Sequence, residues 1–207
     1  MTRSSDAALD FLGTLDSDWS HLVEHCPPYS FPPRMACTPY EYLIRAIAHQ
    51  HVHHHAAESL LKKLDLCFSG LPAPAQLQAA EESTLRHCGF SASKVHALKS
   101  LAQHALNGLV PDNTAAALLT DQQLHQQLTL IRGIGAWTVD MLLIFHLGRP
   151  DVLPVGDYSI REGYRRLKHL HQAPTPRELA LIGTAWQPFR TTASTWLWQA
   201  ARLLAAE

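Results

Sequence analysis

The chain has 207 residues, of which 46% are hydrophobic and 17% charged, with a formal net charge of −1. This length suits one large domain or two small lobes, and the hydrophobic content excludes an intrinsically disordered tail. No apolar run reaches the roughly 18 residues that a membrane span requires. The first residues carry acids and no long apolar stretch, so we expect neither a secretory signal nor a membrane association.

Apolar residues recur at helical spacing over residues 40–65, 91–108, 121–131 and 188–206. Ser91 is a predicted N-cap, and prolines and glycines separate the helical stretches. No stretch alternates apolar and polar residues as a half-buried strand does. The sequence therefore predicts an all-α protein with eight to ten helices joined by short loops.

The near-neutral net charge hides an asymmetry along the chain. Residues 1–131 hold 8 Lys or Arg and 12 Asp or Glu, whereas residues 132–206 hold 9 and 5. A basic C-terminal third is compatible with a polyanionic partner on one face, although the total alone argues against nucleic acid.

Four cysteines without a CxxC spacing argue against a zinc knuckle, a redox pair or a secreted disulfide framework. They are Cys26, Cys37, Cys67 and Cys88. We expect four buried thiols in a reducing cytosol.

A tight turn at Gly133-Ile134-Gly135 separates two predicted helices, the second running from Trp137 to Leu147. The glycines leave the backbone bare, and the first N–H groups of the second helix have no partner within it. Such a turn can bind a phosphate without reading sequence. The same pattern also fits an ordinary helical turn without a ligand. The second helix is apolar nearly all round, so we expect it to be buried.

Asp157 follows a loop rich in glycine and proline and precedes another helical stretch. From the residues alone, it is equally well explained as a helix N-cap or as a functional carboxylate.

The hairpin followed by Asp157 resembles the helix-hairpin-helix (HhH-GPD) DNA glycosylase superfamily, in particular its AlkA-like 3-methyladenine DNA glycosylase II branch. Three further segments are similar to motifs of that family, and together they cover about residues 40–205. They are the helix at 43–57 with Gln50 and two alanines, the turn Gly89-Phe90-Ser91-Ala-Ser-Lys94, and Trp186-Gln-Pro188-Phe189-Arg190-Thr191-Thr-Ala193.

The resemblance implies a two-lobed helical core without the N-terminal β domain that this branch often carries. We expect residues 1–34 to form an N-terminal helical segment that packs with the C-terminal lobe. Residues 35–145 would form the lobe with the hairpin, and residues 146–207 the C-terminal lobe with the catalytic Asp loop.

The implied activity is a monofunctional DNA glycosylase that flips out alkylated bases, such as 3-methyladenine and 7-methylguanine, and leaves an abasic site. Asp157 matches the catalytic Asp, which stabilises an oxocarbenium-like transition state. Trp137 occupies the position at which family members with lyase activity carry a Schiff-base lysine, so no AP-lyase activity is expected. A non-catalytic helix-hairpin-helix DNA-binding protein is the alternative.

The family pocket maps onto Trp137, Met141, Trp198 and Gln50. The face of Trp137 favours positively charged alkylated purines, and Met141 replaces a frequent Tyr. Trp198 is a second pocket aromatic or a core residue, and Gln50 is a pocket-edge residue or a DNA contact. His51 is the candidate wedge that fills the gap left by the flipped base. The full set of expected DNA contacts is Gly133, Ile134, Gly135, Thr138, His51 and Arg190.

No cofactor is expected apart from a structural Na⁺ or K⁺ on the backbone carbonyls of Thr129, Ile131 and Ile134. An iron–sulfur cluster is not expected, because all cysteines precede residue 89. The expected partner is double-stranded DNA with alkylated bases, bound by a monomer in the bacterial cytosol or nucleoid.

Five of the fourteen histidines lie between His49 and His55. His49/His53 and His51/His55 are i, i+4 pairs, a spacing that can hold zinc on one helix face. A set of neutral imidazoles that face DNA or are partly buried explains them as well. A histidine metalloprotein unrelated to DNA is the third hypothesis.

Overall fold

The protein is described by a computed structural model for residues 2–26 and 36–204. Within these ranges it contains helices and no strand, so the all-α prediction is confirmed. In chain order the α-helices are α1 (Thr2–Gly13), α2 (Ser17–His25), α3 (Pro39–His49), α4 (His54–Phe68), α5 (Pro74–Ala79), α6 (Glu82–His87), α7 (Ala92–Leu106), α8 (Asn113–Leu118), α9 (Asp121–Leu128), α10 (Ala136–Met141), α11 (Tyr158–Leu167), α12 (Pro176–Ile182) and α13 (Arg190–Leu203). A π-helix spans Leu142–Leu147 and a 3₁₀-helix spans Gly183–Trp186.

The prediction of eight to ten helices is too low for the described part of the chain. Helices α5, α6, α8 and α10 have six residues each. Hydrophobic periodicity is judged over windows of about 11–18 residues, so segments this short do not produce a signal of their own.

The chain folds into two compact units. The central unit comprises residues 34–147, and the terminal unit joins residues 1–33 to residues 148–207. The terminal unit has a core of buried apolar side chains from α1, α2 and α11–α13, which includes Leu12, Trp19, Ile160, Trp186 and Leu197.

Within the terminal unit, α11 and α13 approach so closely that position 163 has room only for glycine. A Cβ on Gly163 would lie 1.9 Å from the Leu197 carbonyl oxygen. The absence of a side chain there lets the two backbones come into contact, and this contact holds α11 against α13.

In the central unit, the turn that begins α7 supports the C-terminal end of α3. Ser91 caps α7 by accepting a hydrogen bond from the Lys94 N–H at 3.3 Å, as predicted. The buried Lys94 ammonium donates to the Ala48 carbonyl at 2.7 Å, and burial lowers the pKa of Lys94. A cation at a helix C-terminus is stabilised by the helix dipole, so Lys94 holds α3 in place just before Gln50.

The helix expected at residues 43–57 is wrong as a continuous element. Helix α3 ends at His49, and α4 begins at His54. His51 adopts φ 54°, in the left-handed region that non-glycine residues rarely enter. His53 then adopts extended geometry as the N-cap of α4. The sequence does not predict this break, because helix-forming residues flank it and it contains no glycine or proline.

The second hairpin helix was expected to run from Trp137 to Leu147 and to be buried. It is α-helical over Ala136–Met141 and π-helical over Leu142–Leu147. At the junction, the Met141 carbonyl accepts a hydrogen bond from the Tyr42 hydroxyl at 3.1 Å. Val139 and Leu142–Ile144 are buried as expected, but Trp137 is 48% exposed. The helix is therefore buried on its later turns and open at its start.

The cysteines are free, but only Cys88 is buried. Cys67 is exposed, and Cys26 and Cys37 are half-buried, so the expectation of four buried thiols is wrong. Among the described residues, no helix is long and apolar enough to cross a membrane.

Candidate functional site

The predicted hairpin forms between α9 and α10 in the central unit. Gly133 adopts φ +87°, and a Cβ there would lie 2.6 Å from the Ala97 Cβ of α7. Glycine is therefore required at this position by both backbone conformation and space. Gly135 is the N-cap of α10 with an ordinary φ of −94°, and nothing lies within 4 Å of its virtual Cβ. Its lack of a side chain leaves the backbone at the start of α10 open to solvent.

The side chains of Ile134 and Thr138 are largely buried. Ile134 is 3% exposed and anchors the turn in the core, which leaves only its backbone to face a ligand. Thr138 is 5% exposed, and its N–H donates to the Gly135 carbonyl at 3.0 Å. Thr138 nevertheless lines the cavity described below, and its predicted DNA contact stays a prediction.

Gln50 connects the α3–α4 loop to the hairpin. Its Nε2 donates to the Gly133 carbonyl at 2.9 Å. The residue that follows, His51, is exposed and turned away from helical geometry by its left-handed backbone. The structure thus brings together two sequence segments, about 80 positions apart, that carry separate parts of the resemblance.

A cavity of about 970 Å³ opens beside this connection, entirely within the central unit. Its volume is at the upper end of the roughly 300–1,000 Å³ typical of small-molecule sites. Three of the four predicted pocket residues line it, namely Gln50, Trp137 and Met141. His51 also lines it.

Two of the polar residues of the cavity that sequence reasoning missed come from α3. Tyr42 and Arg45 line it from α3, and the Arg45 Nε is buried without a hydrogen-bond partner among the described residues. Their spacing in the sequence could have identified them. Tyr42, Arg45 and His49 lie at i, i+3 and i+7 and so share one face of α3.

Asp157 lies in the terminal unit and is a helix N-cap, one of the two roles that the residues alone left open. It caps α11 by accepting a hydrogen bond from the Ile160 N–H at 3.0 Å. The indole Nε1 of Trp198 donates to the same Oδ1 at 3.3 Å. Both side chains are half-buried. Trp198, the fourth predicted pocket residue, therefore orients the carboxylate that the sequence singled out.

Arg190 is engaged inside the terminal unit. Its Nε and Nη2 donate to the two carboxylate oxygens of Asp151 at 2.7 and 2.8 Å. Burial alone would raise the pKa of Asp151, but the Arg190 guanidinium holds it below its usual value. This two-pronged pair indicates that Arg190 secures the loop before Asp157 to α13. Its predicted DNA contact stays a prediction.

The carbonyls proposed to hold a monovalent cation lie in the hairpin turn. The Ile131 carbonyl accepts a hydrogen bond from the Ile134 N–H at 3.0 Å. A carbonyl oxygen has two lone pairs, so this bond leaves capacity for a second partner.

The histidine pairs expected at i, i+4 spacing do not form, because the helix breaks between them. His49 instead meets residues of α4: its Nε2 lies 3.2 Å from the Glu58 Oε1, and its ring stacks on that of His54.

Comparison with known proteins gives concordant matches. Residues 44–188 match the family described as HhH-GPD superfamily base excision DNA repair protein. The chain is 40% identical to DNA-3-methyladenine glycosylase 1 of Schizosaccharomyces pombe over 93% of its own length and 86% of that protein. It is 31% identical to the alkylbase DNA glycosidase-like protein mag2 of the same yeast, over 98% of each chain.

Solved structures agree with these matches. The 3-methyladenine DNA glycosylase of S. pombe in complex with abasic DNA superimposes with a TM-score of 0.85 at 37% identity, covering 97% of this chain and 100% of that one. A DNA-3-methyladenine glycosidase from Bacillus halodurans gives 0.84 at 28% identity, with coverages of 95% and 89%.

Proposed function

Because this chain belongs to the HhH-GPD superfamily of base excision DNA repair proteins, we propose that it excises alkylated bases of the 3-methyladenine type from duplex DNA. Similarity to proteins named for that activity supports the substrate class. The observation that carries the chemistry is the half-buried Asp157 carboxylate, held by the Trp198 indole and the Ile160 N–H.

Breaking the bond between a base and its sugar develops positive charge on the sugar. A fixed carboxylate stabilises that charge and can orient the attacking water. Asp157 is suited to this role because two N–H donors hold its Oδ1 in place, one from the backbone and one from an indole. The fixed orientation means that little reorganisation is needed when the charge develops.

The cavity of the central unit would receive the extruded base. Trp137 lines it, is half exposed and offers an aromatic face to a cationic purine. Met141 lines it without adding a polar group, whereas Tyr42, Arg45 and Gln50 supply polar groups to the same lining. Such bases are activated leaving groups, which lowers the need for a general acid.

The proposed reaction is base removal alone, of the glycosylase II type. A lyase reaction of this family requires an amine nucleophile in the second hairpin helix, and residue 137 is a tryptophan. The amine of Lys94, another residue of the family motifs, is buried and donates to the Ala48 carbonyl. It is therefore engaged in holding α3.

The exposed backbone of the hairpin at Gly133 and Gly135 would bind one phosphate of the duplex. The Ile131 carbonyl could also coordinate a monovalent cation at this turn. The cation would add positive charge beside that phosphate. A backbone contact of this kind does not read sequence, so selectivity depends on the base. The protein would act as a monomer in the compartment that holds the genome.

The test measures free 3-methyladenine and 7-methylguanine released from methylated duplex DNA by the wild type and by Asp157→Asn. Release by the wild type and a large loss in the variant are expected. DNA binding without release would support the alternative, a non-catalytic helix-hairpin-helix module. Trapping of a covalent complex with borohydride would contradict a reaction without a lyase step.

A further inference from the structure

We propose that His49, His54 and Glu58 form a binding site for a divalent transition metal, with Zn²⁺ as the ion that fits best. The three residues come from the two sides of the α3–α4 break: His49 ends α3, whereas His54 and Glu58 are one turn apart on α4. One ligand atom from each lies within 4.8 Å of the others. All three line the cavity proposed to receive the base, but no chemical step of the proposed excision uses their side chains.

The donor set favours zinc over magnesium or calcium. Two imidazole nitrogens and one carboxylate oxygen suit Zn²⁺, Ni²⁺ or Cu²⁺, while Mg²⁺ and Ca²⁺ prefer oxygen ligands. Two histidines with one glutamate are also a ligand set found in zinc sites that keep one coordination position open.

The geometry needs only a small adjustment to bind the ion. Ligand atoms around a tetrahedral zinc with bonds of about 2.0–2.2 Å are about 3.3 Å apart. The His49 Nε2 and the Glu58 Oε1 already lie 3.2 Å apart. The His54 ring is 5.3 Å from the His49 ring, centroid to centroid, and inclined by 25°. A small rotation of the exposed His54 side chain brings its nitrogen into range.

The backbone break is what assembles this site. A continuous helix would place His49 and His54 five residues apart and on different faces. The left-handed turn at His51 reverses the chain so that the start of α4 faces the end of α3. His53 and His55 belong to the same run but lie outside the three-residue cluster, which makes them matched controls.

The local charge is compatible with a cation. Glu58 is the only acid among the described residues that line the cavity, and Arg45 lines the same cavity from α3. A single carboxylate near an arginine predicts moderate affinity, in keeping with an exchangeable ion. Bound metal would link α3 to α4 and fix the intervening loop, which carries Gln50 and His51.

The test uses the full chain without a polyhistidine tag, stripped with a chelator and then dialysed. Zn²⁺ affinity is measured by competition with a chromophoric chelator for the wild type, His54→Ala, Glu58→Gln, His53→Ala and His55→Ala. Circular dichroism confirms that each variant is folded. Co²⁺, which absorbs visibly in tetrahedral nitrogen and oxygen sites, reports the coordination geometry independently.

We expect one Zn²⁺ per chain, weakened about tenfold or more by His54→Ala and by Glu58→Gln. His53→Ala and His55→Ala should bind within about twofold of the wild type, and millimolar Mg²⁺ should not compete. Equal zinc affinity in His54→Ala and the wild type overturns the proposal. So does an equal loss in His55→Ala, or a Co²⁺ spectrum that is octahedral in the wild type. These readouts do not depend on glycosylase activity, so they stand whether or not base excision is observed.

Discussion

Replacing Asp157 by asparagine separates the two roles proposed for this side chain. As a cap, Asp157 needs only an oxygen that accepts the Ile160 N–H and the Trp198 indole N–H. As the proposed catalytic group, it needs a negative charge. Asparagine keeps the oxygen and loses the charge, so the variant should remain folded and lose activity.

Both effects can be given a magnitude. A carboxylate about 4 Å from a developing unit charge contributes about 4 kcal/mol at an effective dielectric constant of about 20. That corresponds to a rate loss of about 10³-fold. Asparagine is about as good an N-cap as aspartate. The variant also loses the interaction of the charge with the helix dipole, about 0.3–1 kcal/mol.

Asp157→Ala is the matched comparison because it removes the charge, the cap and the indole contact together. The cap and the hydrogen bond are each worth about 1 kcal/mol. We therefore expect Asp157→Ala to unfold several degrees below Asp157→Asn, with a similar loss of activity.

The assay is single-turnover release of 3-methyladenine from methylated duplex, together with thermal unfolding of each variant. Asp157→Asn should melt within about 4 °C of the wild type, as a loss of 1 kcal/mol lowers the melting temperature by about 2–4 °C at this size. An Asp157→Asn variant that keeps more than about a tenth of the wild-type rate refutes the electrostatic argument. An activity loss that follows the loss of stability across both variants assigns Asp157 to capping alone.

Three further outcomes follow from single contacts. Gly163→Ala should lose about 3 kcal/mol or more of folding free energy, because its Cβ would collide with an α13 carbonyl. Gly13→Ala is the control: it has open space at its Cβ and should unfold near the wild type in denaturant. The hydrogen bond to Asp140 raises the pKa of His125, so this pair stabilises the fold below the unfolded-state pKa and its contribution is lost as pH rises through the folded-state pKa. The stability difference between wild type and His125→Gln should thus be larger at about pH 5.5 than at about pH 8.5, by roughly 0.5–1 kcal/mol. Urea unfolding at the two pH values measures it, and the same stability difference at both would contradict this. Gln50→Ala should lose about 1 kcal/mol of stability, since it removes the hydrogen bond to the Gly133 carbonyl. It should also weaken binding to undamaged duplex in a fluorescence anisotropy titration. Unchanged affinity would show that the hairpin is positioned without Gln50.

Much of the helical architecture could be predicted because it depends on local signals. Ser91 caps α7 as expected, and Asp157 caps α11. These devices need only a side-chain oxygen and nearby N–H groups, which adjacent residues supply. The apolar stripe on the last helix likewise contributes Ala193, Trp196 and Leu197 to the core.

What the sequence could not predict are the features set by distant residues. The π-helical turn after Met141 coincides with a hydrogen bond from Tyr42, almost a hundred positions away. The end of α3 is held by Lys94, and the break that follows contains no glycine or proline. Periodicity continues across such a break, because each half-helix is amphipathic by itself.

The pairing of Arg190 is a similar case. An arginine in a basic segment is a reasonable candidate for a phosphate contact from sequence alone. In the structure its guanidinium is bound at both carboxylate oxygens of Asp151, a loop residue that carries no motif of its own. Asp151 is already one of the five acids counted in residues 132–206, so the pair leaves that charge balance unchanged. A charge count gives the balance of a segment but does not show which of its arginines have internal partners.

The hairpin and the α3–α4 loop constrain one another, and this limits how the central unit can respond to DNA. The Gly133 carbonyl accepts the Gln50 amide, while the backbone of Gly133 lies against Ala97 of α7. The turn proposed to hold a phosphate is thus fixed from two sides. Because Gln50 also lines the cavity, the turn and the cavity rim are joined through its side chain. A phosphate bound at the turn would therefore act on the cavity rim through the hydrogen bond that Gln50→Ala removes.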